Sequence, residues 1–287
     1  MTTHVNDNGT WREITGVHVN DSDTWREIST VHVNDNGTWR EVFSAAFGYT
    51  ETVTVNEANY NLQTKLTNAG WDTVEKVVAT VTINPSIRLY ATSTGNYGMY
   101  IPSAIPADSE ITIINNGLVL GKGGTGGNRG SAAISTVANG TPGGGGGGAL
   151  FVGGPRTTPV IVTNNGTIGG GGGGGGGGPS GISTSGPAVG GGGGGGGGSA
   201  QSPAPGGSGG NPGADGGGAA ASGNPYPKVP SSPGGAGGAR GSNGSPSGAA
   251  PHPQLSVRGG GGGGPAVNGH SYITYPATGT RNGPLVG

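Results

Sequence analysis

Three histidines recur at one interval. His4, His18 and His32 open three copies of a single motif, HVNDNGTWREI, HVNDSDTWREI and HVNDNGTWREV, set 14 residues apart. Imidazoles in equivalent positions of a threefold repeat could hold a divalent metal. No carboxylate stands with them at a ligand spacing, however, and a histidine alternating with valine on a strand more often faces solvent or hydrogen-bonds locally. The Asn-Asp-Asn-Gly turn begins like a calcium loop and lacks the glutamate that would close one. The chain has no cysteine, which excludes thiolate sites and disulfides. Beyond Gly121 it holds one carboxylate, Asp215, and two histidines, His252 and His270, too few for paired acid–base work. No HExxH pattern occurs, and the glycine runs lack the GK[ST] ending of a phosphate loop. The basic residues there are scattered and aromatics are few, which argues against nucleic acid. The expectation is a chain with no catalytic residues, no metal and no cofactor.

The elements around these residues are dominated by glycine from Gly121 to Gly264. Pure runs occupy Gly143–Gly148, Gly169–Gly178, Gly190–Gly198 and Gly259–Gly264. In the interrupted runs the non-glycine residues fall three apart: Lys122, Thr125 and Asn128, then Ser208, Asn211 and Ala214, then Ala236, Ala239, Ser242 and Ser245. A period of three belongs to the polyproline-II helix, which makes no internal hydrogen bonds. Without Cβ atoms, such helices can pack backbone to backbone. A helix surrounded on all sides must be glycine on all three faces, so pure runs read as interior helices and GGx runs as edge helices. Ten residues at roughly 3.1 Å each would span about 31 Å. The competing reading is disorder, since Gly and Pro together are 71 and 21 of 287 residues. A lone glycine helix would not hold, because fixing each backbone costs roughly 1–2 kcal/mol and a net hydrogen bond returns about 0.5–1.5. The three-residue register, which a flexible linker does not need, favours the bundle. Collagen is disfavoured because two or three residues in three are glycine, not one.

Composition divides near residue 120. Residues 1–120 carry 6 basic and 13 acidic side chains; the remainder carries 7 basic ones and Asp215 alone, a mild pointer to an anionic partner. Residues 1–46 read as three 14-residue β-hairpins able to bury Trp11, Trp25 and Trp39 together, or as a simple duplicated meander. Residues 47–120 read as a small α+β platform. In it NYNLQTKLTNAGW forms a helix with Leu62, Leu66 and Ala69 on one face and Gly70 as its stop, and strands lie at Lys76–Ile83, Ile87–Ala91 and Glu110–Ile114. Residues 121–287 read as the glycine bundle with its loops and a C-terminal return strand at YITYP. Asn115-Asn116-Gly117 and Asn164-Asn165-Gly166 each follow a strand and lead toward a glycine run, so they read as neighbouring rungs at the bundle base. The N-terminus MTTHVNDNGTW is polar and has neither a basic start nor an apolar h-region, and synthesis in the cytoplasm without a classical export signal is expected.

If successive runs alternate outward and inward, the loops Ser131–Pro142, Pro179–Val189 and Ala219–Pro233 fall at the far end. The alternation breaks between Gly206 and Ser245. The demand that Gly259–Gly264 return to the YITYP strand places Ser242–Arg258 at the far end as well. Large side chains are affordable only on such loops. Ile134, Ile182, Asn224, Tyr226, Lys228, His252, Gln254 and Leu255 are the candidate contact residues, with Tyr226 as the best single anchor.

The glycine runs alternating with short loops, the strand-NNG lead-ins, the YITYP tail and the tryptophan-bearing N-terminal segment together resemble the receptor-binding adhesins that cap the long tail fibres of T-even-like bacteriophages. These are built on a polyglycine-II sandwich. The resemblance covers most of the chain. It implies a non-enzymatic virion protein at the tip of the tail fibre, made in the host cytoplasm and present as one copy per fibre. Its N-terminal repeats, with Trp11, Trp25 and Trp39, would attach to a homotrimeric fibre protein, and its far-end loops would contact a bacterial outer-membrane protein or surface glycan. The alternative is a structural or spacer protein of the virion with a flexible glycine-rich region.

Overall fold

A computed structural model describes residues 4–7, 10–13, 17–21, 24–28, 30–35, 38–44, 46–128, 130, 139–178, 235, 237–248 and 256–287. Each N-terminal repeat forms its own two-stranded antiparallel sheet. The strands are β1 (His4–Asp7) with β2 (Thr10–Glu13), β3 (Val17–Asp21) with β4 (Thr24–Ile28), and β5 (Thr30–Asp35) with β6 (Thr38–Ser44). Pairing is equivalent at the turn end: Asn6, Asn20 and Asn34 stand opposite Trp11, Trp25 and Trp39.

The remaining strands wind into a parallel solenoid of five coils with three strands in each. The first coil is β7 (Phe47–Val53), β8 (Glu57–Ala58) and β9 (Tyr60–Asn61). The second is β10 (Val77–Ile83), β11 (Arg88–Tyr90) and β12 (Met99–Ile101). The third is β13 (Glu110–Asn115), β14 (Leu118–Leu120) and β15 (Leu150–Val152). The fourth is β16 (Val160–Asn164), β17 (Thr167–Gly169) and β18 (Val267–Asn268). The fifth is β19 (Ile273–Ala277), β20 (Thr280–Asn282) and β21 (Leu285–Val286). Every third strand stacks on its equivalent, giving three five-stranded faces: β7-β10-β13-β16-β19, β8-β11-β14-β17-β20 and β9-β12-β15-β18-β21.

Alternation drives this winding. In VVATVTI, Val77, Ala79, Val81 and Ile83 are buried and the residues between them point outward. Ile111 and Ile113, then Val160 and Val162, continue the same inward rows, and Leu89, Val119 and Ile168 supply the second face. The expectation of a small α+β unit over 47–120 is therefore corrected to the opening coils of a parallel solenoid. Its second and third faces are built from strands of two or three residues, too short to show a period in the sequence. Residues 150–169 and 267–286 belong to the same three sheets as 47–120.

Among the described residues one α-helix interrupts the winding. α1 (Leu62–Asn68) is capped by Asn61, whose side chain accepts from Thr64 N at 3.3 Å, and it buries Leu62 and Leu66. Gly70, at φ 103°, ends it where a side chain would be strained. Ala69, expected on the buried face, is instead the exposed C-terminal cap. Trp71 then packs into the core and donates from its indole N–H to Glu75 O at 3.0 Å. Lys65 reaches back from the helix to Glu51 and Glu57 at 3.2 and 2.8 Å. The Tyr49 and Tyr60 hydroxyls both donate to Glu51 Oε2, at 2.8 and 2.6 Å. Burial pushes the Glu51 pKa up, but these donors outweigh it and hold the carboxyl below its ordinary value.

The corner between the first and second faces is an asparagine ladder. The buried Asn115 side-chain amide donates to Asn164 Oδ1 at 2.7 Å, and that of Asn164 donates to Thr278 O at 2.9 Å. One position on, Asn165 donates to Asn116 at 2.9 Å. The two NNG motifs are thus stacked turns of neighbouring coils.

Candidate functional site: the far end of the glycine segments

The described glycine segments leave and re-enter the solenoid at the corner between its second and third faces, in the third and fourth coils. The first segment (121–130) continues β14, the second (139–148) leads into β15, and the third (170–178) continues β17. The fourth (235–241) comes back toward the solenoid, the fifth (242–248) goes out again, and the sixth (256–264) returns to β18.

Their hydrogen bonds repeat every three residues. Gly121, Gly124, Gly127 and Gly130 donate in turn to Gly169, Gly172, Gly175 and Gly178 at 2.8–2.9 Å. Gly171, Gly174 and Gly177 donate to Gly147, Gly144 and Thr141, while Gly173 and Gly176 donate to Ser242 and Ser245. Carbonyls of the third segment also accept from Gly235, Gly238 and Gly241 of the fourth, and from Gly261 and Gly264 of the sixth. The third segment, cut from the ten-glycine run, therefore bonds to all five other described segments. A methyl group on Gly171, Gly174 or Gly177 would overlap the carbonyl of Lys122, Thr125 or Asn128. At the edge, by contrast, Gly259 has open space and Gly262 meets only Asn243 Oδ1 at 3.9 Å.

The run GGAGGARGSNGS, expected as one segment, is two. Ser242 N bonds back to Ala239 O at 2.9 Å and Gly241 adopts φ 68°, so the chain reverses beside Asn282 and Gly283 of the solenoid. This turn is what broke the outward–inward count. Ser242–Ser247 belongs to a segment, not to a far-end loop, and Asn139–Pro142 likewise starts a segment.

At the far end, small polar residues tie the segments together. Ser256 N donates to Asn139 Oδ1 at 2.7 Å, Arg258 N to Ser247 Oγ at 2.9 Å, and Ser247 N to Arg258 O at 2.8 Å. Asn128 and Thr141 exchange bonds at 2.7 and 2.9 Å. None of these ties was singled out from the sequence, though each residue stands within a few positions of a run's end. Ile134, Ile182, Asn224, Tyr226, Lys228, His252, Gln254 and Leu255 all lie outside the described residues. Trp11, Trp25 and Trp39 sit on β2, β4 and β6 at equivalent register positions. Among the described residues no group of three His, Asp or Glu side chains comes together as a metal site.

A scaffold of this kind, its interior bonded through backbone alone and its described segment ends gathered at one end, is held together without side chains. The model of a family described as phage tail fibre adhesin Gp38 matches residues 49–286, and the chain belongs to that family. The family resemblance drawn from the sequence holds, and membership places the protein on the tail fibre of a virion. The chain also aligns with the crystal structure of the gp37–gp38 adhesin tip complex of the bacteriophage S16 long tail fibre. The identity is 20%, over 84% of this chain and 83% of that one, with a TM-score of 0.46. No curated protein matches the chain.

Proposed function

We propose that this adhesin is the non-enzymatic tip of its fibre: it caps a homotrimeric fibre protein through the N-terminal repeats and recognises a host receptor through the connections at the far end of a polyglycine-II bundle. The observation that carries this reading is the hydrogen-bonded core of glycine segments, whose interior admits no side chain and therefore serves as a rigid pedestal. Specificity is left to residues beyond the segment ends. One copy per fibre and a receptor that is an outer-membrane protein or surface glycan belong to this reading, as does an attachment role for repeats 1–46.

Tyr226 is the proposed anchor, since a tyrosine offers apolar area and a hydroxyl with two torsions to freeze. Prolines in NPYPKVP and PHPQL reduce the entropy lost on binding. Tyr226→Ala and Leu255→Ala are each expected to lower adsorption to host cells at least tenfold, with circular dichroism unchanged. Parental adsorption by both would place receptor recognition elsewhere. Deletion of residues 1–46, with Trp11, Trp25 and Trp39, is expected to abolish incorporation into virions while the remainder stays folded.

A further inference from the structure

A five-coil solenoid ends in six open strand edges, three at each end, and each is a template for another strand unless it is blunted. At the last coil, β19 carries Pro276 and a register shift opposite Ile161 and Thr163, β20 has three residues and β21 two. At the first coil, β8 and β9 have two residues each. The sixth edge differs. β7 runs seven residues, is in register with β10 at every one of them, and contains no proline, bulge or lysine.

The polarity of that edge follows from the ladder. Phe47 N donates to Lys76 O at 2.7 Å and Val53 O accepts from Asn84 N at 3.2 Å. Phe47, Tyr49, Glu51 and Val53 thus direct their backbone groups to β10, and Gly48, Thr50 and Thr52 direct theirs to the open side. Phe47 and Tyr49 are only half-buried against the core, because no coil lies beyond them. β6 ends at Ser44 and β7 starts at Phe47, so whatever the third repeat binds is brought to within two linking residues of this edge.

We propose that β7 accepts a strand from the fibre protein, which continues the first face as a sixth strand and covers Phe47 and Tyr49 with its own apolar residues. This rests on the reading that the repeats attach to the fibre, and it adds a second, backbone-mediated contact. The partner segment is extended and apolar at alternate positions.

Proline at position 50 removes an N–H that bonds to no described group in the free chain but that an added strand needs. Binding of Thr50→Pro and Thr50→Val chains is measured on tail fibres purified from virions assembled without the adhesin. Thr50→Pro is expected to bind at least tenfold more weakly and Thr50→Val like the parent, with both melting as the parent does. Binding of Thr50→Pro within twofold of the parent overturns the proposal. Should Thr50→Pro fail to fold, hydrogen exchange on the parent decides it: the Thr50 and Thr52 amides must slow at least tenfold on fibre binding, and unchanged exchange overturns the proposal. A parent chain that does not bind the fibres at all overturns the reading of the repeats, and this inference with it.

Discussion

Two classes of glycine share the bundle, and a single methyl group separates them. At Gly171 or Gly174 it would sit inside the carbonyl of a neighbouring segment, and a backbone cannot step aside without breaking the bonds on its other faces. Gly171→Ala and Gly174→Ala should each cost at least about 1–3 kcal/mol, the range for overpacked interiors, read as a lowered thermal midpoint. At Gly145 the nearest atom to such a methyl is Gly262 O at 3.7 Å, an ordinary contact, and at Gly262 it is Asn243 Oδ1 at 3.9 Å. Neither glycine needs the left-handed backbone. Gly262→Ala and Gly145→Ala should be neutral or stabilise by up to about 0.4–1 kcal/mol through the unfolded chain. Destabilisation of the Gly262→Ala protein as large as that of Gly174→Ala would refute the distinction between core and edge.

Among the elements, the asparagine corner and the helix-capped first coil set the limits of the solenoid. Asn164 joins three coils, accepting from Asn115 and donating to Thr278 O, so Asn164→Ala removes the Oδ1 acceptor of the buried Asn115 amide and the link to the fifth coil. Its expected cost is about 1–3 kcal/mol in denaturant unfolding. At the first coil, Glu51 has a folded pKa below its ordinary 4.5, so its contribution is full above that value and is lost as pH falls through the folded pKa. Lys65 is raised above 10.5, chiefly by its carboxylate partners acting against burial, so its contribution is full below 10.5 and fades as pH rises through the folded value. Melting of the parent should therefore fall on acidification below about 4.5, and Glu51→Gln should flatten that limb. The sequence disclosed these elements unevenly. Val77–Ile83 alternates over seven residues and Asn61 with Gly70 brackets α1, so both were legible. β8, β9 and β21 have two residues each and owe their strand geometry to the coil beneath or above them.

For the whole molecule, solenoid and bundle are one interlocked body rather than a base followed by a top. From the fourth glycine segment the Arg240 side chain lies over Gly169 of β17, and within the solenoid Arg156 donates to the carbonyls of Pro106 and Ser109. Trypsin should therefore spare both sites under conditions that cut unfolded chain within minutes, whereas rapid cleavage at Arg156 and Arg240 would support a flexible spacer. The three-residue register was visible as sequence spacing and fixed the segments' chemistry. The reversal at Gly241 was not, because ARG and GSN keep the same spacing on both sides of the turn. Placing the described excursions at one corner constrains how such a chain changes over generations. A segment sent out must be matched by one brought back, so whole segments are gained or lost in twos. Within a segment, an insertion of one or two residues would turn its faces away from their partners, whereas one of three preserves them. Viable length variants among relatives should thus cluster at multiples of three inside the runs and be unrestricted beyond the segment ends, which leaves the connections free to drift in length while the segments stay quantised.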